Sequence, residues 1–294
     1  MPRGNLTPTL PPSMTLPFTD RTWLWLAAGL YLAGFIQGSI ALFKRGRPAG
    51  GATYALILLG YLAQLAGLGL RGRAVGGCPL GNAFELYQFT AWSAITLYLV
   101  VGATFRLSLL GYFTACLAST VTLVSLLFPS WDAGQRVRIF GHNPWIELHA
   151  ALAVFSYGVF ALLALTSLMF LLRHFSLKSK RLGGWFSFLP SIRDLDHMGV
   201  RLLAAGAAIL GFAVAVGAVH WARPETVVNF EKVVVTVAVA GAAFVLLLLR
   251  LRGVLLARRF AVACLVLYAA ALLSLVTVEP GRGRTPAPPA PNAR

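Results

Sequence analysis

Long apolar runs separated by short polar stretches divide almost the whole chain. A helix needs about 20 apolar residues to cross about 30 Å of hydrocarbon. The runs that meet this length are Thr22–Phe43, Gly51–Leu70, Phe84–Thr104, Leu107–Phe128, Trp145–Leu172, Gly199–Trp221, Val233–Leu249 and Phe260–Val278. Lipid offers backbone groups no hydrogen bonds, and no alternating pattern indicates a barrel, so we predict a helix for each run. The expected fold is an all-α polytopic membrane protein, a bundle of about eight transmembrane helices.

Composition agrees with this prediction. Of the 294 residues, 58% are apolar and 12% are charged, and the mean hydropathy is +0.76. Soluble domains carry about 25% charged residues, so a soluble globular fold is excluded. The Pro/Thr-rich residues 1–21 and the Pro/Ala-rich residues 279–294 are expected to be disordered on either side of a membrane domain at 22–278.

The formal net charge of +16 is the next feature. In a soluble chain this charge would suggest a nucleic-acid partner. Here the basic residues lie mostly between spans, so we expect the protein to interact with a lipid bilayer and not with nucleic acid. The loops after the odd-numbered spans carry Lys44, Arg45, Arg47, Arg106, Arg173, Lys178, Lys180, Arg181, Arg193, Arg201, Arg250, Arg252, Arg258 and Arg259. The loops after the even-numbered spans carry Arg71, Arg73, Arg136, Arg138, Arg223 and Lys232. The positive-inside rule therefore predicts that both termini lie outside.

This topology brings three of the five histidines to the outer face. His142 precedes the fifth span, His149 lies one turn inside it, and His220 lies at the end of the sixth. Neutral imidazole is a common axial ligand of haem iron, and two imidazoles from different helices could clamp one haem. His149 and His220 are therefore candidate metal ligands, whereas His174 and His197 fall on the opposite side.

The surroundings of these two histidines are aromatic. Trp145 is one helical turn before His149, and Trp221 follows His220. Flat aromatic side chains suit a flat macrocycle. The alternative is that Trp collects at both membrane interfaces in any case, and that a His at a helix end is a tolerable interfacial residue.

Two carboxylates on the same face are also candidates. Glu85 begins the third span and Glu147 stands two residues before His149. A carboxylate there could orient a histidine, hold a haem propionate through an arginine, or begin a helix, where the dipole favours negative charge. For Glu85, Asn82 has the spacing of a capping box, which is a structural explanation.

Motifs for enzymatic chemistry are missing from the sequence. It has no nucleophile with a nearby base, no paired carboxylates, no P-loop and no dinucleotide fingerprint. The three cysteines have neither a disulfide framework nor a zinc spacing. We therefore expect a protein that is not an enzyme.

Three segments resemble the cytochrome c assembly membrane proteins of the CcsA, ResC, CcmC and HemX kind. CPLGNAFELYQFTAW resembles the third-span signature of that family, and NPWIELHAALAVFSYG resembles the signature that follows it. LPSIRDLDHMGVRLLAAGAAILGFAVAVGAVHWA is similar to the corresponding stretch of the HemX-like branch. Together the segments cover most of Pro79–Trp221.

The resemblance implies haem handling. The family histidine that matches His149 is one of two outer-face haem ligands, beside a Trp-rich loop that forms a shelf for the haem. The implied role is presentation of haem to a CxxCH apocytochrome c, often with a ResB-type partner, at the bacterial inner membrane. This chain departs from the pattern after His220, where HWARPETVVNFEKVVV keeps only Trp221 of the Trp-rich loop, and it lacks the later family histidine. These departures favour the HemX-like branch, whose members are linked to control of haem biosynthesis.

Three functional hypotheses follow. The first is a haem-binding cytochrome c maturation factor, with His149, His220, Trp145, Trp221 and Glu85 as its site. The second is a membrane regulator or adaptor that acts on a soluble partner through the basic segment Arg173–Arg201. The third is a small-molecule transporter, against which the unbroken spans and the missing inverted repeat count.

Overall fold

The computed structural model describes residues 19–43, 50–105, 108–132, 143–180, 190–221 and 230–278. Within these ranges, side chains are not described at residues 41–43, 50, 101–105, 108–110, 220–221, 230–232 and 274–278. Its helices are α1 (Asp20–Phe43), α2 (Gly50–Val75), α3 (Ala83–Phe105), α4 (Ser108–Leu127), α5 (Pro144–Lys178), α6 (Ile192–Trp221), α7 (Phe230–Leu251) and α8 (Ala257–Val278), with a 3-10 helix at Pro129–Asp132. The predicted all-α fold is confirmed. The terminal residues 1–18 and 279–294, expected to be disordered, lie outside the described residues.

α5 continues six residues beyond the predicted end at Leu172. Its 35 residues span about 52 Å at 1.5 Å per residue, which exceeds the hydrocarbon thickness. The added turns carry Arg173 and Lys178, and both residue types are good helix formers. Their long side chains can extend the charged groups toward water. The last turns of α5 therefore lie beyond the apolar span.

α6 begins at Ile192, seven residues before the predicted Gly199. Ser191 explains the early start, because its hydroxyl accepts a hydrogen bond from the backbone N–H of Asp194 at 3.2 Å and donates to the Asp194 carboxylate at 2.6 Å. Ile192–Asp196, which precede the predicted span, therefore belong to α6.

Five of the described helices are long and apolar enough to cross a membrane: α1, α2, α5, α6 and α7. α3 carries several buried polar residues, among them Glu85, Gln88 and Ser93. Those side chains point into the bundle, where neighbouring helices shield them from lipid.

α3 and α5 join the two parts of the bundle. α1 packs against α2 and α4, and α3 packs against α4. In the second part, α5 packs against α6 and α8, and α7 contacts both α6 and α8. The α3–α5 contact connects the parts, and α5 is the most buried of the five long apolar helices.

Ion pairs group the helix ends on two opposite faces. On one face, Arg71 near the end of α2 contacts Asp20 of α1, Glu85 of α3 and Asp132 after α4. We call this the site face. On the other, the basic face, Arg250 near the end of α7 pairs with Asp196 near the start of α6. The predicted alternation is confirmed for these helices, while the cellular side of each face stays a prediction.

A chain of buried hydrogen bonds crosses α1 to α4. The Tyr31 hydroxyl donates to Gln64 at 2.9 Å, Gln64 donates to the Gln88 side chain at 2.9 Å, and Gln88 donates to Ser125 at 2.8 Å. All four side chains are fully buried. Such bonds join helices in lipid, where unpaired polar groups are costly.

α5 packs tightly against α3 at Gly158. A Cβ placed at Gly158 would lie 2.8 Å from the backbone nitrogen of Ala94 and would also overlap the Ser93 side chain. Backbone cannot yield as a flexible side chain can, so this contact requires glycine.

We expect Gly158→Ala to lower the free energy of unfolding by about 1 to 3 kcal/mol, the usual cost of overpacking a tight core. Denaturant titration of the detergent-solubilised protein measures this change. The control is Gly241→Ala on α7, where an added Cβ meets nothing within 4 Å. Alanine is the better helix former, so the control should be neutral or stabilising. Equal losses in both variants would contradict the close contact.

Candidate functional site

His149 lies near the start of α5, where capping residues define the first turn of the helix. The Asn143 side chain caps the helix by accepting the backbone N–H of Trp145 at 3.1 Å, and Pro144 occupies the first helical position. His149 is therefore held one turn inside a well-defined helix end, as predicted.

The His149 ring bridges α5 and α6. Its Nδ1 lies 2.6 Å from the backbone carbonyl oxygen of Ala213. A carbonyl only accepts, so Nδ1 carries the proton, and the neutral imidazole has its lone pair on Nε2. Metal-binding histidines characteristically donate their other ring N–H to a carbonyl or carboxylate, which fixes the tautomer. The arrangement of His149 thus fits an axial ligand.

Position 220 lies seven residues beyond Ala213 on α6, which is about two turns and about 10 Å along the axis. Seven residues bring a helix back to nearly the same direction, so position 220 shares the helix face of Ala213. The side chains of His220 and Trp221 lie outside the described residues, as does His142.

Trp145 is the described aromatic residue next to His149. It lies one turn before His149 and is 57% exposed. Elsewhere on the site face, Trp131 stacks on Tyr87 with ring centroids 4.9 Å apart and on Phe128 at 5.1 Å. This face therefore presents aromatic surface from α5 and from the 3-10 helix.

Glu85 lies in a buried charge cluster centred on Arg71. Both side chains are 1% exposed, and Arg71 Nε donates to Glu85 Oε1 at 2.6 Å. Arg71 Nη1 donates to Asp20 Oδ2 at 2.8 Å, and Nη2 donates to Asp132. Every nitrogen of this guanidinium thus bonds a carboxylate.

The start of α3 is fixed by the same carboxylate. Asn82 Oδ1 accepts the Glu85 backbone N–H at 2.9 Å, so the predicted N-cap is confirmed. The second Glu85 oxygen accepts the Gly81 N–H at 2.6 Å instead of the Asn82 N–H that a capping box would use. Glu85 therefore holds both the α2–α3 loop and Arg71.

Glu147 ties α5 to the α2–α3 loop. Its carboxylate accepts a hydrogen bond from the backbone N–H of Cys78, in addition to lying in the first turn of α5. Burial, with the negative charges of Glu147 and Glu85, raises the pKa of the Cys78 thiol to about 12. The thiol is therefore protonated at neutral pH.

Sequence reasoning identified Glu85 and Glu147 but missed Arg71, Asp20 and Asp132. The signal was present, because each lies at a predicted span end on the same side of the membrane. Arg71 had been assigned to an outer loop, whereas it lies within α2 and is buried. Helices that alternate in direction bring such ends together.

We expect Arg71→Leu to lower the free energy of unfolding by about 3 to 5 kcal/mol, because it leaves buried carboxylates without their cation. Denaturant titration in detergent measures the loss. Arg73→Leu is the matched control, since Arg73 is exposed two residues further along α2. A loss of the same size in the control would refute the importance of the cluster.

We also expect Glu147→Gln to accelerate alkylation of Cys78 at pH 8, by up to about tenfold for each unit by which the thiol pKa falls. The amide oxygen of Gln still accepts the Cys78 N–H but carries no charge. Maleimide labelling would be followed in a Cys116→Ala, Cys264→Ala background. Asp194→Asn on the basic face is the control and should leave the rate unchanged, and an unchanged rate in Glu147→Gln would contradict the assigned cause.

Comparison with known proteins assigns this chain to a family. The sequence profile of the family described as Cytochrome C assembly protein matches residues 80–249. The matched region contains Glu85, His149 and Ala213 and covers more than half of the chain.

Individual relatives agree with this match. The chain is 26% identical to Protein HemX of Bacillus subtilis (strain 168) over 198 residues, which are 66% of this chain and 70% of that protein. It is 25% identical to Protein HemX of Brevibacillus brevis over 202 residues, 68% of this chain and 74% of that protein. Cytochrome c biogenesis protein CcsA of Chlamydomonas reinhardtii is 28% identical over 160 residues, 52% and 44% of the two chains. The chain is therefore a multi-pass membrane protein that belongs to the cytochrome c assembly protein family, as a HemX-like member.

Proposed function

We propose that this protein is a non-enzymatic assembly factor for c-type cytochromes that holds haem at its site face. His149 of α5 and His220 of α6 would hold its iron through their imidazoles. Trp145 and Trp221 would contribute apolar contacts to it, and Glu85 would position the helices of the site.

The observation that carries this proposal is the His149–Ala213 hydrogen bond. It fixes the ring between two helices and directs the lone pair to Nε2, which is the state that an iron ligand needs. The donor set that we propose is the pair of imidazoles of His149 and His220.

The other residues act by orientation. Bound haem is the group that becomes attached to the Cys-x-x-Cys-His motif of a c-type apocytochrome. Glu85 takes no part in contacting it, since both carboxylate oxygens are engaged with Arg71 and the Gly81 N–H. The hydrogen bond from the Cys78 N–H to Glu147 joins the α2–α3 loop to the start of α5. It thereby fixes the position of His149 along the helix axis.

Family membership supports the partners that we propose. They are haem, an apocytochrome c and a ResB-type assembly protein, at the outer face of a bacterial inner membrane with both chain termini outside. The open aromatic surface at Trp145 is compatible with a ligand that must later be passed on.

A second candidate function is supported by the end of α5. The helix extends past the apolar span, and Phe175 and Leu177 are 60% and 44% exposed beside the basic Lys178. Such a mixed apolar and basic surface suits a soluble partner. On this hypothesis the protein is a membrane regulator of haem biosynthesis that does not present haem.

Variants of the two histidines test the first proposal. We expect His149→Ala and His220→Ala each to lose most of the haem bound by the purified protein, because one axial bond is removed. The reduced pyridine absorbance spectrum reports haem content directly. Both variants should also lower covalently attached cytochrome c in the host.

His174→Ala is the matched control, since His174 stacks on Phe170 toward the other end of α5. It should keep both the haem spectrum and the cytochrome c level. Normal cytochrome c with both outer histidines replaced would refute haem presentation. If Lys178→Gln alone then changed the abundance of a haem-synthesis enzyme, the regulator would be the better description.

A further inference from the structure

A groove of about 930 Å³ opens between α7 and α8, away from the histidines of the site face. Its apolar walls include Val245 and Leu249 of α7 and Val262 and Val266 of α8. The small side chain of Ala242 leaves the recess open. Its volume lies in the range of about 300 to 1,000 Å³ that is typical of ligand sites.

The groove walls are apolar surfaces that no protein segment covers within the described residues. Val245 is 55% exposed and Val266 is 63% exposed. Val245 lies on α7, which is long and apolar enough to cross a membrane, and Val266 faces the same groove from the adjoining α8. We therefore expect these walls to face acyl chains in the membrane. The shape favours a chain lying along the helices.

One end of the groove is strongly basic. Arg258 and Arg259, in the first turn of α8, line it and are both exposed. Among the described residues no carboxylate pairs with either guanidinium. Guanidinium groups bind phosphate with two parallel hydrogen bonds, so this end is complementary to an anionic phosphate.

The neighbouring Arg250 stabilises the turn between α7 and α8. It pairs with Asp196, donates to the Leu255 carbonyl at 2.7 Å and lies over the Phe260 ring at 5.1 Å. These contacts hold the turn between α7 and α8 in place. The turn thus fixes the position of the two arginines at the groove end.

We propose that the α7–α8 groove binds one anionic phospholipid, with its phosphate on Arg258 and Arg259 and an acyl chain along the groove. Basic residues at the membrane surface together with an adjacent apolar cleft are the features that recognise such a lipid. The proposal is independent of haem, because no residue of the groove belongs to the site face.

Native mass spectrometry of the full-length protein, with equimolar phosphatidylglycerol and phosphatidylcholine, tests the proposal. We expect phosphatidylglycerol to be retained preferentially. Arg258→Gln with Arg259→Gln should weaken its binding about 30-fold, the loss expected for two basic contacts with an anionic lipid. Arg258→Lys with Arg259→Lys should keep most of the preference, which separates lost charge from misfolding.

Two further variants separate the headgroup from the groove. Ala242→Phe fills the recess from an exposed position and should reduce lipid retention while both arginines remain. Lys178→Gln with Arg193→Gln removes the same charge elsewhere on the basic face and should change nothing. The proposal is overturned by equal retention of both lipids, by an equal loss in this control, by displacement with inorganic phosphate, or by a dimer that occupies the groove regardless of lipid.

Discussion

A single buried guanidinium sets the arrangement of the first four helices. Burying the Arg71 charge is tolerable only because Asp20, Glu85 and Asp132 each accept from it. Those carboxylates come from the start of α1, the start of α3 and the 3-10 helix after α4. The electrostatic requirement of one side chain therefore determines which helix ends meet, and Glu85 transmits that order to the loop against which α5 begins.

α5 places His149 at the site through contacts with the α2–α3 loop, α3 and α6. Its first turn is tied to the α2–α3 loop through Glu147, its middle lies against α3 at Gly158, and His149 reaches across to α6. A shift of α5 along its axis would disturb all three contacts. The height and tautomer of the histidine are thus consequences of packing and hydrogen bonding on both sides of the helix.

The fold could be predicted from sequence because lipid leaves the apolar runs few alternatives to helix. Helix ends were harder, since capping by Ser191 and the helix propensity of Arg173 to Lys178 act outside the apolar runs. The position of His149 followed from its span. Its bond to Ala213 could not be predicted, because a backbone carbonyl has no sequence signature. Arg71 was misassigned because hydropathy treats a paired, buried charge and a solvated charge alike.

The buried chain from Tyr31 through Gln64 and Gln88 to Ser125 takes one side chain from each of the first four helices. Each amide would face hydrocarbon unpaired if its helix were inserted alone, which is costly in lipid. The chain therefore has a consequence for biogenesis. Pairing of these side chains favours release of the helices into lipid as a group, with Ser125 as the last member to arrive. α1 to α4 thus constitute a natural unit of membrane assembly on which the later helices are added.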